Sequence, residues 1–305
     1  MHHRQSSVHK NLRLRAGITQ AIRKFFTDQD YLEVETPCRI PAPAPEACID
    51  PVPSADWFLH TSPELCMKRL LAAGYPRIFQ ICRCFREGER GRRHLSEFTL
   101  LEWYCTGITY LEMMEQCEDL IHFAARETGF GDTITYQGER IDLKSPWHRL
   151  SVKEAFDRFA PVSMESALSE DRFDEIIACE IEPRLGREKP LFLYDYPAAC
   201  GALARLKPDN PLFAERFELY ICGIELCNAF TELTDADEQR TRFEEEQARR
   251  RESRGRMCPM PEKFLEALKF MPDASGNALG IDRLVMLFAN ATEIDEVVAF
   301  APEEL

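Results

Sequence analysis

The sequence lacks the features that mark several large classes of protein. No CxxC pair occurs among its 12 cysteines, whose only close pairs are Cys82/Cys84 and Cys222/Cys227. That spacing fits neither a disulfide framework nor a structural zinc site. No apolar run is long enough to cross a bilayer, and no secretory h-region opens the chain. The thiols are therefore read as reduced, in a cytoplasmic protein with no membrane partner. Excess positive charge is missing too: 38 Lys and Arg stand against 52 Asp and Glu, a formal net charge of -14. This argues against a broad basic surface for gripping nucleic-acid phosphates and leaves room only for a local patch. Linkers, internal repeats and low-complexity tracts are also absent. Residues 1–305 are expected to form one domain, and 45% apolar residues suffice for a large core.

What is present is a succession of short, legible elements. Residues 12–26 place Ile18, Ile22, Phe25 and Phe26 on one helical face, and Asp28–Asp30 end the pattern. Leu32, Val34 and Thr36 alternate with Glu33 and Glu35 as a half-buried strand, which Pro37 stops by removing a donor. Six prolines between Pro37 and Pro53 read as an ordered surface loop in preference to a proline-motif ligand. Residues 77–86 and 97–104 form a hairpin with the charged loop Glu87–Arg93, residues 110–127 a helix, and 151–190 mixed helix. A second hairpin spans 216–233 with Cys222-Gly223 at its turn. From Asp235 to Arg256, Glu238/Arg242, Glu245/Arg249 and Glu246/Arg250 fall at i,i+4, the pattern of a solvated helix in preference to a nucleic-acid patch. Ser275–Gly280 then leads into an apolar helix from about Ile281. Without regular βαβ alternation, these segments predict an α+β fold on a mostly antiparallel sheet.

Strand parity puts Phe98, Leu100, Glu102 and Tyr104 on one face, and Arg86 shares parity with Cys82 and Cys84. Arg86, with Arg92, Arg93 and His94 across the loop, offers donors for a polyphosphate; the plainer alternative is ordinary surface ion pairing. In the second hairpin Asn228, Phe230 and Glu232 share a face, and Glu218 and Glu225 lie on opposite arms. Two carboxylates meeting there would suit magnesium with a nucleotide; two solvated glutamates are the alternative. Glu64, Glu102 and Glu232 sit among apolar residues, where burial is costly without cations. Either a diamino substrate supplies those cations, or arginines such as Arg69 and Arg205 do.

From about residue 10 onward the chain resembles the catalytic domain of class II aminoacyl-tRNA synthetases of the lysyl branch. "FTDQDYLEVETP" (Phe26 to Pro37) resembles motif 1, "FQICRCFREGERGRRHLSEFTLLEWY" motif 2 and "GNALGIDRLVML" motif 3, in that order, with "TSPELCMKRL" and "GIELCNAFTEL" between. The resemblance implies the class II catalytic fold, a homodimer through motif 1, ATP as substrate and Mg2+ as cofactor. It implies that Arg86 contacts the substrate carboxylate and α-phosphate, that His94 and Arg283 contact the outer phosphates, and that Phe98 stacks on adenine. Glu218 and Glu225 correspond to magnesium-binding acids, and Glu64 to the residue that binds the α-amino group. Glu102, Tyr104 and Glu232 match residues holding the distal ammonium of lysine, with Asn228 near the carboxylate and Phe230 along the side chain. The implied reaction is in-line attack of the amino-acid carboxylate on the α-phosphate of ATP, giving an aminoacyl-adenylate and pyrophosphate.

Departures from the lysyl pattern narrow the expectation. Motif 1 begins almost at the start, which leaves no room for an N-terminal anticodon-binding OB-fold. Ala278 and Ala229 stand where lysyl-tRNA synthetases have glycine, and the methyl of Ala278 should reshape the amino-acid pocket against α-lysine. Gly88 stands where motif 2 normally has glutamate, flanked by Glu87 and Glu89. These features together are similar to the stand-alone paralogues that ligate (R)-β-lysine to a lysine of elongation factor P. That partner, in place of tRNA, is the expected acceptor. A minimal synthetase charging tRNA, a silent regulatory paralogue and a relative conjugating small amines remain as alternatives.

Overall fold

The computed structural model describes residues 4–252 and 256–305. In chain order the strands are β1 (Leu32–Glu33), β2 (Arg39–Ile40), β3 (Pro53–Ser54), β4 (Trp57–Leu59), β5 (Arg77–Phe85), β6 (Glu97–Thr106), β7 (Thr133–Tyr136), β8 (Glu139–Asp142), β9 (His148–Ser151), β10 (Leu191–Pro197), β11 (Phe213–Ile221), β12 (Ile224–Thr231) and β13 (Ala274–Gly280). Eight of them form one sheet in the order β1-β5-β6-β13-β12-β11-β10-β9. The pairings β1–β5 and β9–β10 at the two ends are parallel, and every pairing between them is antiparallel. The mostly antiparallel α+β architecture expected from the sequence is the one found. Among the described residues no helix is long and apolar enough to cross a membrane.

Alternation along the central strands gives the sheet two unlike faces. Leu101, Trp103 and Cys105 of β6 point into the main core, where they meet Ile22, Phe25 and Phe26 of the helix His9–Thr27. Phe26 stacks on Phe79 with ring centroids 4.9 Å apart and meets Tyr31 edge-on at 5.0 Å. Each such buried aromatic contributes about 1.5–3 kcal/mol of transfer free energy. The helices Tyr110–Glu127 and Ile281–Ala289 complete this layer. The first starts in a capping box between Thr109 and Glu112. The second is tied down by Asp282, which pairs with Arg15 at 2.5 Å and accepts the Thr99 backbone N–H at 2.7 Å. The opposite face of the same strands remains for chemistry.

Both expected hairpins form. β11 and β12 are joined by Cys222-Gly223, both with positive φ (52° and 68°), the two-residue turn whose twist suits a tight antiparallel hairpin. Residues 151–190 are indeed broken helix: Val152–Phe159, Met164–Ser169 and Phe173–Ile176, continued by a π turn at Ile177–Ile181. They pack a separate apolar cluster against Leu150, Leu193 and Tyr220.

Two expectations are corrected. The strand at 32–36 is only two residues long and lies at the sheet edge, with Leu32 51% exposed in place of half-buried. Beyond it the backbone keeps one ladder bond, Val34 N–H to Phe79 O, and then turns to the Gln80 side chain at Thr36. The charged helix, Ala236–Glu252, is not wholly solvated: Gln239, Phe243, Gln247 and Arg250 are buried along one stripe. Of the three i,i+4 pairs only Glu238–Arg242 forms. Arg249 pairs with Glu246 instead, and Arg250, 1% exposed, donates to the backbone of Ile49 and Arg256. Ser253–Gly255, within that expected segment, and Met1–His3 lie outside the described residues.

Candidate active site

Register assembles the site in transverse rows. Gln80, Glu102, Ala278, Asn228 and Glu218 lie opposite one another in sequence across five strands, β5 to β11. The next row is Ile78, Tyr104, Gly276, Phe230 and Arg216. Because each row is set by pairing, residues as far apart in the chain as Gln80 and Ala278 share one floor, as the parity of each hairpin alone required.

At one end of this floor three carboxylates meet. Glu102 and Glu232 are each 1% exposed. Glu102 accepts from Ser62 Oγ at 2.5 Å and from the Tyr104 hydroxyl at 2.9 Å. Burial, and then the nearby Glu64, push its carboxyl well above the ordinary range. Burial likewise pushes Glu232 up to about 8, against the pull of Lys68. The protein cation here, for which the sequence offered Arg69 or Arg205 as the alternative to a diamino substrate, is Lys68. Its ammonium lies 2.6 Å from Glu64 and 2.5 Å from Glu232, and 5.1 Å from the Phe230 ring centroid. Arg205 turns away to Glu215 and Asp273. The Lys68 ammonium occupies Glu232 Oε2, and Glu232 Oε1 is buried without a hydrogen-bond partner. An unsatisfied buried acceptor of this kind fits an arriving ammonium donor. Gly276 makes the enclosure possible: a Cβ there would lie 2.3 Å from Tyr104 Cε1 and 2.4 Å from Glu232 Oε1.

The same floor continues into a cleft of about 390 Å³ lined by Arg86, His94, Phe98, Glu218, Glu225, Asn228, Ala278 and Arg283, among others. Arg86 places its guanidinium 4.9 Å from the Phe98 ring centroid, and its Nε is buried without a partner. Arg283 donates to Glu225 Oε2 at 3.1 Å and to the Glu225 carbonyl at 2.9 Å, and meets His94 Nε2 at 2.6 Å. Burial and then the Arg283 charge hold the His94 imidazole below its ordinary value, so it faces the guanidinium as a neutral acceptor. Glu218 takes three donors, from Tyr196, Tyr220 and Arg216, each at 2.6 Å. Burial outweighs the Arg216 charge in raising its carboxyl. Glu225 is half-buried, with one oxygen held by Arg283. The two acids flanking Gly88 part company. Glu89 lines the cleft 3.7 Å from Arg86, whereas Glu87 pairs outside with Arg256, Gly88 turning between them at φ 77°.

All thirteen residues expected from the sequence therefore border this one floor or cleft. Those it missed are Lys68, Ser62, Tyr196, Arg216, Gly276 and Glu46, the last a cleft-lining carboxyl that burial pushes up to about 7. Two had a local signal, Lys68 in its i,i+4 spacing from Glu64 and Arg216 in its strand parity with Glu218. The others act through contacts of long sequence separation. A larger open cavity of about 600 Å³ lies beyond the Arg92–His94 loop, but its cations are mostly committed, Arg187 to Glu139 and Arg92 to Glu293. Volume alone does not locate the chemistry.

The spacing that spoke against zinc did not anticipate that His60, Cys82 and Cys84 gather, with Sγ atoms 3.9 Å apart and Cys84 Sγ 4.0 Å from His60 Nε2. That nitrogen lies 2.7 Å from the Arg83 carbonyl. A carbonyl only accepts, so Nε2 carries the proton and has no lone pair for a metal.

Comparison with known proteins places the chain in a family. Over residues 1–304 the chain matches the family described as "tRNA synthetases class II (D, K and N)". It is 41% identical over 314 residues to the elongation factor P--(R)-beta-lysine ligase of Pectobacterium carotovorum, covering 96% of this chain and 95% of that one. The protein of the same name from Pectobacterium atrosepticum is 41% identical over 315 residues, and that from Salmonella arizonae 40% over 310.

Proposed function

The chain belongs to the class II (D, K and N) tRNA synthetase family, and from that membership and the cleft's charge layout we propose that it activates (R)-β-lysine with ATP and transfers it to a lysine side chain of elongation factor P. The observation that carries this reading is the split polarity of one continuous floor. Three carboxylates sharing a single lysine, with Glu232 Oε1 buried and unpaired, stand at one end, and Arg86 and Arg283 at the other. A ligand with two ammonium groups and a carboxylate, placed against ATP, matches that layout.

Glu64 holds the backbone-proximal amine, while Glu102, Tyr104 and Glu232 hold the distal ammonium. Phe230 lies along the methylenes, and Asn228 and Arg86 orient the carboxylate toward the α-phosphate. Adenine stacks on Phe98, and His94 and Arg283 take the outer phosphates. The carboxylate oxygen attacks the α-phosphorus as the bond to pyrophosphate breaks; the neutral ε-amine of the acceptor lysine then attacks the adenylate carbonyl, AMP leaves, and the nitrogen gives up one proton to solvent. No residue needs to act as acid or base in activation. Positioning and charge neutralisation by Arg86 and Arg283 supply the acceleration.

Mg2+ suits the same end. Glu218 and Glu225 present hard carboxylate oxygens beside the cleft, and one Glu225 oxygen has no arginine on it. When bound, the ion neutralises phosphate charge. Glu218, already held by two tyrosines and Arg216, is the better-oriented of the pair.

The net charge of -14 accords with a protein acceptor in preference to tRNA. The free thiols accord with a cytoplasmic location. A homodimer through motif 1 would cover Leu32 at the exposed sheet edge.

The test is ATP–pyrophosphate exchange with (R)-β-lysine and α-lysine side by side, followed by mass spectrometry of elongation factor P. Exchange preferring (R)-β-lysine and a mass gain on the factor are expected. Exchange with α-lysine and charging of tRNA would overturn the reading.

A further inference from the structure

The segment "TSPELCMKRL" holds a residue the reaction above does not use. Lys68 lies on the helix Glu64–Ala72, one turn after Glu64, and its side chain is 1% exposed. An isolated lysine that deeply buried would shed its proton. Here burial alone does push the group down, but Glu232 and Glu64 outweigh it and the net shift is upward, so the ammonium stays charged.

One short segment therefore reaches all three pocket carboxylates. Ser62 Oγ donates to Glu102 and accepts the Glu64 backbone N–H at 2.9 Å. Lys68 bridges Glu64 and Glu232, which arrive from a helix and from the end of β12. Lys68 pairs with two of the three carboxylates and Ser62 links the third, so three acidic groups and one basic leave two negative charges when all are ionised. A substrate with two ammonium groups neutralises that remainder; one with a single ammonium leaves a buried charge, which is costly.

We propose that Lys68 is a positioning residue that sets the pocket's charge. By clamping Glu64 to Glu232 it fixes the spacing of the two amine-holding carboxylates and limits the pocket to diammonium substrates. The proposal rests on the amino-acid pocket assigned above. Lys68 does not touch the reacting atoms; it acts through the two glutamates.

The test measures amino-acid-dependent pyrophosphate exchange in wild type, Lys68→Met, Glu232→Gln and the double variant, with ATP KM and thermal unfolding in parallel. Lys68→Met should raise the amino-acid KM roughly ten-fold or more while ATP KM stays within about two-fold. Its amino-acid affinity should also need a higher pH, because an unclamped third carboxylate ionises less readily. The double variant should be no worse than Glu232→Gln alone, since the pair acts as a unit. A merely structural lysine would instead lower both affinities together, with additive effects in the double variant. Either that pattern or an unchanged amino-acid KM overturns the proposal and leaves the functional reading standing. If Lys68→Met does not fold, the double variant carries the test against Glu232→Gln, because it leaves one carboxylate fewer without a partner. Wild type that exchanges with neither lysine isomer overturns the functional reading, and this inference with it.

Discussion

The Tyr104 hydroxyl donates to Glu102, two positions earlier on the same strand, at 2.9 Å. Strand parity alone puts the two on one face, and the bond turns the carboxylate toward the pocket that Ser62 closes from the other side. A carboxylate already holding two neutral donors has room for an ammonium but little for water. Glu102→Gln keeps the shape and removes the charge, so amino-acid KM should rise about ten- to hundred-fold, the worth of a charge-assisted hydrogen bond. ATP KM should hardly change. Steady-state exchange kinetics in both substrates check this, and equal losses for both ligands would contradict the pocket assignment.

Glu232 gives the pocket a pH signature. Its folded-state value is about 8 against an ordinary 4.5. Between those values the folded protein binds a proton that the unfolded chain has released. Stability from this group therefore falls as pH rises through that window. Lys68, raised above 10.5, titrates outside it. A diammonium ligand favours the ionised carboxylate, so its stabilisation should be larger at about pH 8.5 than at about pH 6. Thermal unfolding with and without the amino acid at each pH measures this. The difference should shrink in Glu232→Gln; a ligand shift independent of pH in wild type would contradict the account.

How far the site was legible follows from how each contact is made. Phe98, Glu102 and Tyr104, and likewise Asn228 and Phe230, were placed correctly because period-two alternation is local. Joining the two hairpins required β13 between them, and its Gly276 and Ala278 carry almost no side-chain pattern to read. Lys68 was missed and Arg250 misread for one shared reason: helical spacing shows the local partner and conceals the distant one. Lys68 takes Glu64 at i-4 but also Glu232, and Arg250 has Glu246 at i-4 but reaches Asp50 and the Ile49 carbonyl. β1 was overextended because an alternating run does not reveal that its strand is at an edge with one neighbour.

Arg250 is the anchor of the loop that carries Glu46 to the cleft. Its guanidinium donates to backbone carbonyls of Glu46, Ile49 and Arg256 and pairs with Asp50. Arg250→Ala removes a buried side chain and the donor those part-buried acceptors share, and should destabilise the protein by about 2–3 kcal/mol. Urea unfolding reads the loss. Protease digestion should cut first between residues 42 and 52; cleavage unchanged from wild type would show that the loop is held by other contacts.

Ala278 sits in register between Glu102 and Asn228, at the junction of the amino-acid pocket and the nucleotide cleft. Its methyl group is the closest sequence departure to the substrate carboxylate expected there. Ala278→Gly should shift the preference toward α-lysine on the order of ten-fold, as one methyl allows. It should cost about 0.5–1 kcal/mol of strand stability. The ratio of kcat/KM for the two lysine isomers decides it, and an unchanged or smaller α-lysine preference would sink the assignment of this position.

Gly276 tests the enclosure from the opposite direction. Its backbone is ordinary strand, so alanine there meets no conformational strain, and any effect must come from what the methyl touches. Those neighbours are the Tyr104 ring and Glu232, at 2.3 and 2.4 Å. Neither can yield cheaply, because both are buried against the apolar cluster around Leu65, Met67 and Leu71. Gly276→Ala should lower stability by about 1–3 kcal/mol, the usual cost of overpacking, and raise amino-acid KM much more than ATP KM. Adding Tyr104→Val makes room for the methyl, so stability should return in part while amino-acid affinity does not, since the donor to Glu102 is gone. Recovery of both would mean that the tyrosine only fills space; recovery of neither would place the clash on Glu232.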